Sequence, residues 1–124
     1  MTRPTNEQLL SMTHEEHIIT ALESLASDVH EIAKDKGWWE KDRNNGELIA
    51  LMHSELSEAL EALRHGNPPS DHIPEFSGVE EEFADVIIRI LDMSRARNYR
   101  IGEAIIAKMA FNDGRAHKHG GKVF

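Results

Sequence analysis

Hydrophobic positions recur along this chain at intervals of three and four, and no stretch alternates apolar with polar residues as a half-buried strand does. Residues 1–12 are expected to form a short leading helix or a loose arm, and residues 13–124 one domain. Thr13-x-x-Glu16 has the residues of a capping box and opens a predicted helix to about Lys36. Ile18, Leu22, Leu25, Val29 and Ile32 form its apolar face, and Gly37 ends it. Trp38–Asn45 is a polar connection. A second helix is predicted from Gly46 to His65, with Leu48, Met52, Leu56, Ala59 and Leu63 as its stripe and Gly66 as its stop. After a Pro-rich loop at 67–76, Ser77-x-x-Glu80 is another capping box, opening a third helix to about Ala96. Its expected core face is Val79, Phe83, Val86, Ile87 and Ile90, with Glu82, Asp85 and Arg89 along one flank. A last helix is predicted from Ile101 to Arg115. The predicted class is all-α, a four- to five-helix antiparallel bundle. Apolar faces on several short helices predict association, because a short bundle buries more by pairing.

Composition narrows the function more than the fold. At 124 residues the chain is long enough for a core of its own, and without cysteine it has neither disulfides nor a thiolate metal site. It carries no long apolar run for a membrane span and no secretory pattern at its start, so the expected location is cytoplasmic. A net charge of −8 argues against broad binding to a nucleic-acid polymer. It leaves room for a small phosphorylated ligand, because a metal ion can reverse the sign locally. Basic residues gather at the end of the chain, where Lys108, Arg115, Lys118 and Lys122 accompany His117 and His119. That end is a candidate phosphate-binding strip.

The most informative residues are four acids. Glu55 and Glu58 on the second helix, and Glu82 and Asp85 on the third, are each spaced i, i+3, so each pair shares a helix face. Both pairs border the apolar stripe, and Glu55 stands where Leu or Ala would pack. Helices joined along those stripes bring the four carboxylates together, and close carboxylates raise one another's pKa until a cation neutralises them. An all-oxygen cluster of this kind suits Mg²⁺ or Mn²⁺. Either pair alone is equally a solvated face, and Asp85 with Arg89 is equally an i, i+4 ion pair.

Other residues have two readings as well. Lys108, Asn112 and Arg115 share one face of the last helix, either as a polar outer surface or as charge and hydrogen-bond donors for phosphate. Of Trp38 and Trp39, one or both can plug the core, or one ring can stack on a base. His30 alone reads as a satisfied histidine or as a ligand contact. The eight histidines show no zinc spacing.

Taken in order, these motifs resemble the MazG-like superfamily of all-α nucleoside triphosphate pyrophosphatases. The family's acid pattern is Glu-Glu-x-x-Glu, followed after a variable gap by Glu-x-x-Asp. Here the counterparts are Ser54-Glu55-x-x-Glu58, with Ser54 at the first Glu, and Glu82-x-x-Asp85. Lys108-x-x-x-Asn112-x-x-Arg115 is similar to the family's C-terminal phosphate-binding segment. Single-domain dCTP pyrophosphatase-like members carry a His, a Trp and a metal Glu at the separations of His30, Trp39 and Glu55. The resemblance spans roughly residues 18–122.

The resemblance implies an enzyme that hydrolyses a nucleoside triphosphate between its α- and β-phosphates, for tasks such as nucleotide-pool sanitation. It implies Mg²⁺, with Mn²⁺ as a substitute, on Glu55, Glu58, Glu82 and Asp85, and Glu55 as the group that orients or deprotonates water. It further implies Lys108, Asn112, Arg115 and Lys122 on the phosphates, His30 and Trp39 at the base or sugar, and a homodimer or homotetramer with sites near its subunit interfaces. The alternatives are a phosphoribosyl-ATP pyrophosphatase of the same fold, or a non-enzymatic helical module that senses a nucleotide or binds a partner.

Overall fold

The computed structural model describes residues 3–115, and the regular structure within them is entirely helical. Five helices follow in order: α1 Asn6–Ser11, α2 His14–Asp35, α3 Asn45–Arg64, α4 Gly78–Ala96 and α5 Ile101–Asp113. Local chemistry explains their starts. Thr5 and Gln8 form a capping box that the sequence reading passed over, and it makes the leading segment a short helix. Ser77 and Glu80 form the expected box on α4. At α2 only half of the expected box forms. The Thr13 hydroxyl accepts the Glu16 N–H, but the Glu16 carboxylate takes the hydroxyl proton at 3.1 Å and leaves the Thr13 N–H alone. Asn44 caps α3, which therefore begins a residue before Gly46. Gly37 and Gly66, just past the ends of α2 and α3, have φ of +87° and +81°, a conformation that other residues adopt only with strain.

Helix α4 is the central element, packed against both α3 and α2, while α5 lies on α2. α3 and α4 run antiparallel, as their partners show. Asn45 meets Arg97, Leu48 and Met52 pack with Met93, Glu55 meets Arg89, and Ala62 lies beside Gly78. On the other side of the molecule, α5 approaches α2 closely at Gly102, where a Cβ would come within 3.2 Å of the Ile19 backbone. Arg3 ties the leading segment to α2 through Ser24 and Asp28. Among the described residues no helix is long and apolar enough to cross a membrane.

The core is small. Ala26, Val29, Leu48, Met52, Ala59, Leu91 and Met93 are its buried hydrophobic residues, with Trp39 and Ile90 packed against Leu48, Met52 and Met93. Several residues expected inside lie outside. Leu25 and Ile32 on α2, Leu56 and Leu63 on α3, and Phe83 and Ile87 on α4 are all exposed. The reason is geometric: each stripe is wider than the strip a single neighbouring helix covers. The antiparallel register sets Leu56 level with Ile87 and Leu60 level with Phe83, so the open rows of α3 and α4 form one apolar surface. Exposed apolar surface of that kind is a candidate contact surface.

Met52 sits at the centre of the α3–α4 seam, so Met52→Ala is expected to lower stability by about 2–4 kcal/mol. Urea unfolding followed by circular dichroism measures this, and an unchanged midpoint would contradict the seam as the core.

Candidate metal centre and adjoining cleft

The antiparallel pairing of α3 and α4 brings the two acid pairs to one place. Glu55, Glu82 and Asp85 each offer a carboxylate oxygen, and the three lie within 4.8 Å of one another. Glu58, the fourth expected ligand, is exposed at the edge of the group but near enough to Glu82 to influence its proton. Burial, followed by sharing of a proton with Glu55 and Glu58 and by their charge, pushes the Glu82 pKa up to about 8. Burial and the charges of Glu55 and Glu81 raise Asp85 as well, with Arg89 acting the other way. Glu82 Oε2 is cut off from water and meets no donor among the described residues. Crowded hard oxygens, one of them orphaned, fit a divalent cation that takes carboxylate and water ligands. These residues could hold a metal ion.

Three consecutive glutamates on α4 have different tasks. Glu80 closes the capping box. Glu81 accepts from the buried Ser70 hydroxyl and lies 2.7 Å from His72 Nδ1, which holds its carboxyl below the usual range and raises His72. Ser70 Oγ also accepts the backbone N–H groups of His72 and Ile73, so the 67–76 loop is fastened to the first turn of α4. Only Glu82 is left to face α3.

Arg89 does not make the intrahelical pair with Asp85 that its spacing allows. Its guanidinium crosses to α3, where Nε and Nη2 donate to Glu55 Oε1 at 3.2 and 3.1 Å. Both side chains are largely shielded, Glu55 with only 13% of its surface exposed.

Beside the acids lies a cleft of about 240 Å³ that shares Asp85 and Arg89 with them. Ile32 and Ile88 form its apolar walls, which accounts for their exposure, and Lys36, Arg43, Trp38 and Asp92 complete it. The two tryptophans have separate roles. Trp39 packs on the core, and its indole N–H donates to Asp92 at 3.0 Å. His30 Nδ1 lies 2.7 Å from the same carboxylate, and its ring meets Trp39 edge-on at 5.4 Å. Both residues expected at the base are thus held by Asp92. Trp38 is 57% exposed and lines the cleft.

A network of cations holds this arrangement. The Arg43 guanidinium lies 5.6 Å from the Trp38 ring centre and 5.2 Å from that of Trp39. Arg97 lies 5.7 Å from the Trp39 ring and fastens the 38–45 loop through Asn45, Asp42 and the Arg43 carbonyl. Asp92, Arg97 and Arg43 were missed by sequence reasoning. Asp92 left one signal, an acid inside the apolar run Ile87–Met93, seven residues beyond Asp85.

The basic strip lies elsewhere. Lys108 and Asn112 are exposed on α5, and Arg115 is exposed just past its end. The helix stops at Asp113, with Gly114 as its cap, and does not reach Arg115 as expected. All three lie outside the cleft lining, with Lys108 and Arg115 4.6 and 5.5 Å from the Phe111 ring. Lys122 lies outside the described residues.

The Glu82 proton has measurable consequences. An unfolded Glu82 has the ordinary pKa of 4.5 and the folded one about 8, so between those values the folded chain holds a proton that the unfolded chain has lost. This group's contribution to stability therefore declines as pH rises through that window, and Glu82→Gln is expected to flatten the decline in melting curves of metal-free protein. A divalent cation must displace the same proton. Calorimetric titration with Mn²⁺ at neutral pH is expected to release about one proton, read from buffers of different ionisation enthalpy, and almost none above about pH 9. Buffer-independent heat at neutral pH would contradict it.

No family model matches this chain, and neither does a curated protein or a solved structure.

Proposed function

We propose that this protein is a Mg²⁺-dependent nucleoside triphosphate pyrophosphohydrolase, in keeping with its resemblance to the MazG-like enzymes. One observation carries the reading. Three carboxylates gathered from two helices adjoin, through Asp85, a cleft that offers an aromatic ring and the cations Lys36, Arg43 and Arg89. Phosphoanhydride hydrolysis requires charge neutralisation and alignment more than covalent chemistry, and those are the capacities this set of residues has.

Glu55, Glu82 and Asp85, with Glu58 at the edge, would hold the ion. Mg²⁺ bound there supplies neutralisation of phosphate charge and a more acidic water. Glu55 would orient that water or accept its proton. Lys36 and Arg43 meet phosphate oxygens, and Trp38 offers its ring face to a base. Asp92 holds His30 and Trp39 in place behind that ring. Lys108 and Asn112 on α5, with Arg115 just past its end, would serve a site completed by a second chain. The exposed apolar residues Leu56, Leu60, Phe83 and Ile87 favour such a homodimer.

A second reading has one observation in its favour: Arg89 already neutralises Glu55. A helical module that binds a nucleotide without cleaving it would have that pairing.

Pyrophosphate release from the common ribo- and deoxyribonucleoside triphosphates, with Mg²⁺ and with EDTA, separates the two. The expected result is release favouring one substrate, abolished by EDTA, and lowered about a hundredfold or more by Asp85→Asn with the helical spectrum unchanged. Release that persists in EDTA or in Asp85→Asn would overturn the metal assignment. A folded protein that binds nucleotides but releases no pyrophosphate would favour the second reading.

A further inference from the structure

We propose that Arg89 is an exchangeable counter-ion, seated on Glu55 while the acid cluster lacks a metal ion and released into the cleft, onto phosphate, when the ion arrives. The inference rests on the metal-dependent reading above and goes beyond it by coupling two binding events through one side chain.

The starting position is unusual for an arginine spaced i, i+4 from an aspartate on its own helix, where the local pair is the ready choice. Arg89 instead places two nitrogens on a single oxygen of Glu55 across the α3–α4 seam. Glu55 is 13% and Arg89 31% exposed, so the pair is partly shielded from water and is not a fully solvated surface bridge. A carboxylate oxygen of Glu55 lies within 4.8 Å of oxygens of two further carboxylates, Glu82 and Asp85. Arg89 therefore occupies the electrostatic role a cation would fill, with one charge where the acids can accept two.

Two N–H donors already take up the lone pairs of Glu55 Oε1, so a divalent ion at that oxygen would compete with Arg89 directly. One at the other oxygen of the same carboxylate would still repel the guanidinium across a short distance. The displaced guanidinium has somewhere to go. Arg89 is already part of the cleft wall, together with Lys36 and Arg43, and its Nη1 donates to no residue among those described. A guanidinium fork matches two phosphate oxygens, which no lysine can do as well. Filling the metal site thus creates a phosphate site, and the two ligands favour each other by linkage. An arginine that stayed on Glu55 permanently would have neither property.

The test uses Mn²⁺ alone and then inorganic triphosphate with Mn²⁺ saturating, titrated by calorimetry into the full chain and into Arg89→Met and Arg89→Lys. Without the competing charge, Arg89→Met is expected to bind Mn²⁺ on the order of tenfold more tightly, and triphosphate about tenfold or more weakly. Arg89→Lys keeps the charge but not the fork. It is expected to keep Mn²⁺ affinity near that of the unaltered protein and to lose part of the triphosphate affinity, which also covers the case in which Arg89→Met does not fold. If the unaltered protein binds Mn²⁺ but either variant leaves triphosphate affinity unchanged, or Arg89→Met leaves Mn²⁺ affinity unchanged, the exchange is overturned while the metal-dependent reading stands. If the unaltered protein binds no Mn²⁺, the metal-dependent reading itself fails.

Discussion

Three carboxylates held within 4.8 Å of one another repel, and the rest of this molecule can be understood by asking what keeps them there. Packing supplies the force. The seam of Leu48 and Met52 against Met93 locks α3 to α4 in antiparallel register, and that register sets Glu55 opposite Glu82, Asp85 and Arg89. A raised pKa at Glu82 and the Arg89 guanidinium on Glu55 both relieve the crowding. Each is a stand-in for positive charge. Seen this way, the α3–α4 seam is the structural element that makes a metal site possible.

A second constraint shapes the cleft. Asp92 is buried on α4, and a buried carboxylate is tolerated only when donors surround it. His30 from α2 and Trp39 from the connecting loop supply them. The consequence extends to Trp38. With its neighbour fixed inward by Asp92 and the loop held by Arg97, Trp38 is left facing the open side beside Arg43. The same short loop therefore contributes a core residue and a cleft residue from adjacent positions.

Much of the fold was legible in the sequence because it is written in local chemistry. Ser77 and Glu80 mark a helix start, Gly37 and Gly66 mark helix ends, and the i, i+3 acids mark two faces that meet. What escaped was long-range. Periodicity reports which residues share a face but not how much of that face a neighbour covers, so Leu56, Phe83 and Ile87 were expected inside and lie outside. The partner of Arg89 is 34 residues away, and the partners of Asp92 are farther still. No spacing rule within one helix reaches them. Which of two adjacent tryptophans turns inward was likewise decided by Asp92, a residue from another helix.

The most direct test of the account is the position of a bound ion. Crystals of the protein soaked in Mn²⁺ and measured at the manganese absorption edge would show an anomalous peak among Glu55, Glu82 and Asp85, with Arg89 withdrawn from Glu55. A well-occupied peak elsewhere, or none at the acids with Arg89 still seated on Glu55, would contradict the claim that this cluster is a metal centre.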